Sequence, residues 1–112
     1  MSGGAQLSVT DLRRSTRHPV HLPVIGEHRR LGDVLLNIVN ISTTGFMVRD
    51  NLDLGRGERV TIRLPHVGRI EAFLVWNDGG RAGFQFERII RQDDFSKMVK
   101  QLQPNTRLRT KG

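Results

Sequence analysis

Eight consecutive residues, Val34 to Ile41, hold six aliphatic side chains and two asparagines. The run is too short for a helix of ordinary length, is rich in β-branched residues and ends at a cluster of turn formers, so it reads as a strand. In an extended chain successive side chains point to opposite faces. One face then carries Val34, Leu36, Ile38 and Asn40, and the other Leu35, Asn37, Val39 and Ile41. Apolar residues on both faces predict a central strand covered on each side.

The rest of the chain supplies partners for it. Val20–Ile25, interrupted by Pro23 and preceded by Pro19, reads as a first strand, at an edge or broken, because proline donates no ladder hydrogen bond. Glu27–Gly32 reads as a polar connection. Phe46–Arg49 resumes the strand pattern after Thr43-Thr44-Gly45, and Asp50–Gly57 reads as a loop. Glu58–Leu64 alternates, with Val60, Ile62 and Leu64 inward. After the turn at Pro65–Gly68, Arg69–Trp76 places Ile70, Ala72, Leu74 and Trp76 on one face. Asn77-Asp78-Gly79-Gly80 is a hairpin turn signal, and Gly83–Phe86 closes the series. The period then changes. Phe95, Met98, Val99 and Leu102 fall on one helical stripe, with Asp93 and Asp94 suited to its first turn and Pro104 to its stop. Six short antiparallel strands and one C-terminal helix that covers an open end predict a small all-β barrel.

Composition bounds the function. The chain has 112 residues, enough for one domain: a leader over residues 1–10, a folded domain over 11–103 and a basic tail over 104–112. It has no cysteine, which excludes disulfide and thiolate chemistry. No run approaches the roughly 18 apolar residues of a membrane span, and no secretory pattern opens the chain, so the expected compartment is the cytoplasm. The net charge of +7 is unevenly placed. Residues 31–106 are close to neutral; the excess lies in the first thirty residues and the last six. Fifteen of the eighteen cations are arginine, which favours two-pronged recognition of phosphate or guanine over diffuse attraction.

Two short stretches carry candidate chemistry. Arg13-Arg14-Ser15-Thr16-Arg17 gathers three arginines without strand or helix periodicity. Asn40-Ile41-Ser42-Thr43-Thr44-Gly45 places an amide, a hydroxyl and a glycine at a strand junction. Such a junction is either a plain turn or a small surface that reads anions and bases. The first stretch resembles the RxxxR element of PilZ domains, and the second resembles their [D/N]xSxxG element. The two stand in the same order as in that family, a couple of dozen residues apart. Trp76 and Gly83–Phe86 resemble the end of that family's barrel, and the likeness covers roughly residues 11–103.

The resemblance implies a six-stranded antiparallel barrel with a helix, and a bacterial receptor for cyclic di-GMP. It implies that Arg13 and Arg17 bind guanine edges and phosphate, with Arg14 a third contact. Asn40 and Ser42 would hydrogen-bond the ligand from the barrel's outer surface, and Gly45 would keep side-chain bulk away. The arginine-bearing loop would order over the ligand and alter the surface shown to a protein partner. Leu12, preceding the motif, favours one bound nucleotide over an intercalated pair. The physical chemistry agrees with these residue types, since a guanidinium fork meets the O6 and N7 of guanine with two hydrogen bonds and stacks on bases.

Competing readings are plain ones. The arginines alone would be a solvated basic leader. Asn40-Ile41-Ser42 matches a glycosylation acceptor, but no secretory leader accompanies it. His18, His21, His28 and His66 lack the spacing of a metal site. Asp93-Asp94 suits helix capping better than acid catalysis, and no nucleophile–base pattern or phosphate loop appears, so no enzyme and no cofactor are expected. Trp76 and the phenylalanines are expected in the core. The alternatives are a PilZ-like adaptor that binds protein alone, and a small basic barrel that binds nucleic acid. The near-neutral body disfavours the second.

Overall fold

The computed structural model describes residues 16–102. Arg13, Arg14, the leader and the tail lie outside the described residues. The elements are β1 (His18–His28), β2 (Gly32–Ile41), β3 (Gly45–Val48), β4 (Arg59–Leu64), β5 (Gly68–Asn77), β6 (Ala82–Phe86) and α1 (Gln92–Leu102). The strands are antiparallel and close in the order β1-β2-β3-β6-β5-β4. The fold is the six-stranded barrel with one C-terminal helix that the pattern predicts.

The alternation in β4 is realised directly: Val60, Ile62 and Leu64 are buried while Arg59 and Arg63 are exposed. They meet Leu36, Ile38, Ile70, Ala72 and Leu74 in the barrel interior. Phe46 stacks on Phe84 with ring centroids 4.9 Å apart and tilts against Phe86 at 5.4 Å. Helix α1 covers one end. Its stripe buries Phe95, Met98 and Val99, and Leu102 packs partly against the same core. The His18 ring lies 5.3 Å from Phe95, and the His66 Nε2–H donates to Gln101 Oε1 at 2.8 Å. The helix is thus tied both to the start of β1 and to the β4–β5 turn.

Three expectations are corrected. First, β1 is a single strand of 11 residues that runs through Pro19 and Pro23 and includes Glu27 and His28, which leaves only Arg29–Leu31 as the turn. Second, β2 is not covered on both sides, since Leu35 is 54% exposed. Third, the strict alternation of β2 and β5 breaks near their ends. The pairing of β2 with β3 slips between Ile38 and Asn40, and that of β5 with β6 slips between Leu74 and Trp76. Each slip inserts one extra residue, Val39 or Val75, and a β-bulge of this kind re-aims the side chains beyond it. Ile41 therefore enters the core at 0% exposure and Asn40 turns outward, while Trp76 leaves the core and stands 38% exposed.

Loop side chains fasten the frame. Asp50 accepts from the Asn37 backbone N–H at 2.7 Å and from Asn37 Nδ2 at 2.8 Å, prolonging the β2–β3 contact past Val48. Glu58 joins the β1–β2 hairpin to the start of β4. Its carboxylate accepts from the Gly55 backbone N–H at 2.7 Å, from buried His28 Nε2–H at 2.6 Å and from Arg30 at 3.2 Å. His28 Nδ1 meanwhile accepts from the backbone N–H groups of Arg30 and Leu31, which places the ring proton on Nε2.

The Gly55 hydrogen bond, then those from His28 and Arg30, hold the Glu58 carboxyl below its ordinary value of 4.5, against an opposing contribution from desolvation. A depressed folded-state value stabilises the fold above the unfolded value and loses that contribution as pH falls through the folded one. Urea midpoints of the wild type and Glu58→Gln should therefore differ most at neutral pH, with the wild type the more stable, and converge as the solution is acidified below pH 4.5. A difference that does not change with pH would refute the role given to this carboxylate.

Candidate ligand-binding surface

Residue Asn40 reaches the surface only because of the β2 bulge. Its Oδ1 accepts a hydrogen bond of 3.0 Å from Arg17 Nη1, which joins side chains 23 residues apart. Arg17 stands exposed immediately before β1, where Pro19 pairs with Asn40. The structure thus brings together one member of each sequence motif. One Arg17 nitrogen is engaged by Asn40, and the residue stands exposed.

The strand pairing extends this contact sideways. Asn40 pairs with Met47, Met47 with Gly83, and Gly83 with Trp76. Asn40 Nδ2 lies 3.9 Å from Met47 Sδ, so both side chains share the outer face. At Gly83 a side chain would collide with the Trp76 indole, which lies across the glycine. The result is a row on the barrel wall: cation and amide at one end, thioether in the middle and an exposed indole at the other. Three strand spacings separate Asn40 from Trp76, about 14 Å. The indole was expected in the core. No polar residue in Ile70–Trp76 marks the phase change, but Gly83 is the trace it leaves, since only a glycine accommodates the ring there.

Ser42 and Gly45 serve the turn. Ser42 was expected to be exposed, but it is only 3% exposed. Its Oγ accepts from the backbone N–H groups of Thr44 and Gly45, each at 3.2 Å, and lies 3.1 Å from Thr44 Oγ1. The Ser42 N–H donates to the Gly45 carbonyl at 2.8 Å. These bonds close the β2–β3 hairpin and leave the hydroxyl satisfied within the chain. Gly45 is buried beside β6, where a Cβ would collide with the Phe84 carbonyl oxygen and lie 3.1 Å from Gln85 Cα. Its lack of a side chain serves strand approach rather than ligand access. The turn is also held from behind, because the Thr44 carbonyl accepts from Phe86 N–H at 2.8 Å and the Thr43 carbonyl from Ile90 N–H at 2.9 Å.

Next to the row, a depression of about 380 Å³ lies over Val20–Pro23, Asn37–Val39 and Arg49. Among the described residues no cluster of three or more His, Asp or Glu side chains is placed to hold a metal ion. No described helix is long and apolar enough to cross a membrane.

A closed barrel with a packed interior and its polar constellation on the outer wall, where Arg17 meets Asn40, defines the class. The PilZ domain family model matches residues 11–103, and the chain belongs to that family. PilZ domains are, as a family, binding and adaptor domains that receive cyclic di-GMP. Comparison with curated proteins returned no match.

The turn should prove structural on substitution. Ser42→Ala leaves two backbone N–H groups without their acceptor and should cost about 1–3 kcal/mol in urea unfolding. Gly45→Ala forces β3 away from β6 and should cost at least as much. Wild-type stability in both variants would contradict the turn's role.

Proposed function

We propose that the protein is a cyclic di-GMP receptor that binds the nucleotide on the row between Arg17 and Trp76 and signals to a protein partner. Membership of the PilZ family supports the ligand class. The observation that carries the site is the 3.0 Å hydrogen bond from Arg17 to Asn40, which couples the two motifs across the outer wall. Arg17, with Arg13 and Arg14 from the preceding segment, supplies cations for two phosphates and forks for guanine O6 and N7. Asn40 offers an amide donor and acceptor to a base or phosphate. Trp76 presents a ring on which a guanine can stack. Ser42 and Gly45 contribute by holding the hairpin from which Asn40 projects.

In this reading the ligand recruits the Arg13–Arg17 segment onto the wall, and the changed surface is what the partner reads. The setting is the bacterial cytoplasm, where this messenger acts. Removing a charged hydrogen bond costs about 1.5–3 kcal/mol. Calorimetric titration with cyclic di-GMP should therefore show Arg17→Ala, Arg13→Ala and Asn40→Ala binding roughly ten- to a hundred-fold more weakly than wild type. GTP and a short oligonucleotide should give no comparable heat. Absence of heat from the folded wild-type protein would overturn the reading in favour of an adaptor that binds protein alone. Oligonucleotide affinity that falls steeply with salt would favour the nucleic-acid alternative.

A further inference from the structure

The barrel is closed unevenly. Nine residue pairs join β1 to β2 and six join β4 to β5, but only Glu27 and Thr61 pair β1 with β4. Continued along the strands, that register would set Ile25 beside Arg63 and Pro23 beside Pro65. Two prolines facing each other there lack two backbone donors, and the ladder does not resume beyond Glu27 and Thr61. What remains is a cleft of about 430 Å³ on the edge of β1 away from Asn40, with Glu27, Asp33, Ile25, Arg63, Arg69 and Pro65 among its lining residues.

The charges around this cleft are placed against the barrel's own interest. Glu27 pairs directly with Asp33 across β1 and β2, and Arg63 pairs directly with Arg69 across β4 and β5. Like charges set opposite each other destabilise a sheet. All four residues are exposed, and none forms an ion pair with a described residue. Beside them Ile25 and Leu35, also a direct pair, are 52% and 54% exposed. An acidic pair thus stands on one side of the seam and a basic pair on the other, with Ile25 between them.

We propose that this seam is the contact face of a symmetric homodimer. A two-fold axis requires a surface complementary to itself, and a patch with opposite charges on either side of an apolar centre meets that requirement. The axis passes over the seam near Ile25. It sets Glu27 and Asp33 of one protomer against Arg63 and Arg69 of its partner, twice, and packs the Ile25–Leu35 pairs at the centre. Both like-charge pairs are relieved at once. Because the seam lies away from the Arg17–Asn40 row, the nucleotide surface stays open in each protomer.

Sedimentation equilibrium of the full chain, from micromolar to millimolar concentration, tests this. The wild type should pass from monomer to dimer, and added salt should weaken the association. The double variants Arg63→Glu/Arg69→Glu and Glu27→Lys/Asp33→Lys should each dimerise at least about tenfold more weakly. Mixed in equal amounts, they should associate again as a heterodimer. Ile25→Asp, a change at a half-exposed position, should also give a monomer, with the circular dichroism of the wild type as the check on folding. A wild type that stays monomeric to millimolar concentration would overturn the proposal. So would dimers that persist in both charge variants, or a mixture that gains no mass over its components. Binding of an acidic peptide or an oligonucleotide at the seam by a strictly monomeric protein would likewise assign the face to another occupant.

Discussion

A sheet becomes a barrel only when its two outer strands meet, and here that meeting is narrow. Glu27 and Thr61 are the one residue pair between β1 and β4, and the nearby Glu58 carboxylate strengthens the joint by gripping Gly55, His28 and Arg30 together. The Glu58 backbone also serves, since its carbonyl accepts from Leu74 N–H at 2.9 Å and carries the β4–β5 ladder one step further. With the joint made, Val60 and Ile62 face Leu36 and Ile38 across the interior, and the apolar sides of all six strands are removed from water together. Without it, β1 and β4 would present unpaired backbone groups at two open edges.

A filled interior pushes chemistry to the outside. Phe46, Phe84 and Phe86 occupy the space between β3 and β6, and helix α1 covers an end with Phe95 and Met98. The polar constellation lies on the wall instead, where Arg17 meets Asn40. On an antiparallel wall only every second residue faces out, and the two bulges adjust which residues those are. They bring Asn40 and Trp76, from strands three places apart around the barrel, onto a single transverse row.

The parts of this arrangement that follow simple periodicity were legible in the sequence. The alternation of Val60, Ile62 and Leu64 and the helical stripe of Phe95, Met98 and Val99 each have one apolar side and one polar side, so phase and burial coincide. β2 and the end of β5 lack that contrast. Leu35, Val39 and Ile41 are as apolar as Leu36 and Ile38, so no polar residue reveals that the phase inverts at Val39; the same holds at Val75. The burial of Ser42 was hidden for another reason. A hydroxyl three residues before a glycine closes a turn or greets a ligand with the same atoms, and only the positions of the Thr44 and Gly45 N–H groups decide between them. The need for glycine at position 45 arises from Phe84, nearly forty residues away, which no local pattern reports. The pairing of Arg17 with Asn40 was visible only through the likeness of the two motifs to a family; spacing alone does not join them.

The bulge at Val39 also determines which kind of genetic change the surface tolerates. Most substitutions in β2 alter one side chain and leave its neighbours facing as before. Loss of the single codon for Val39 would be tolerated in the same sense: it removes only the extra residue, so the strand alternates strictly with Asn40 still outward and Ile41 still inward. The outer row and the core depend on the same phase of the strand. Straightened at its present length, with Val39 taken into the ladder, the strand would exchange them, drawing Asn40 toward the core and exposing Ile41.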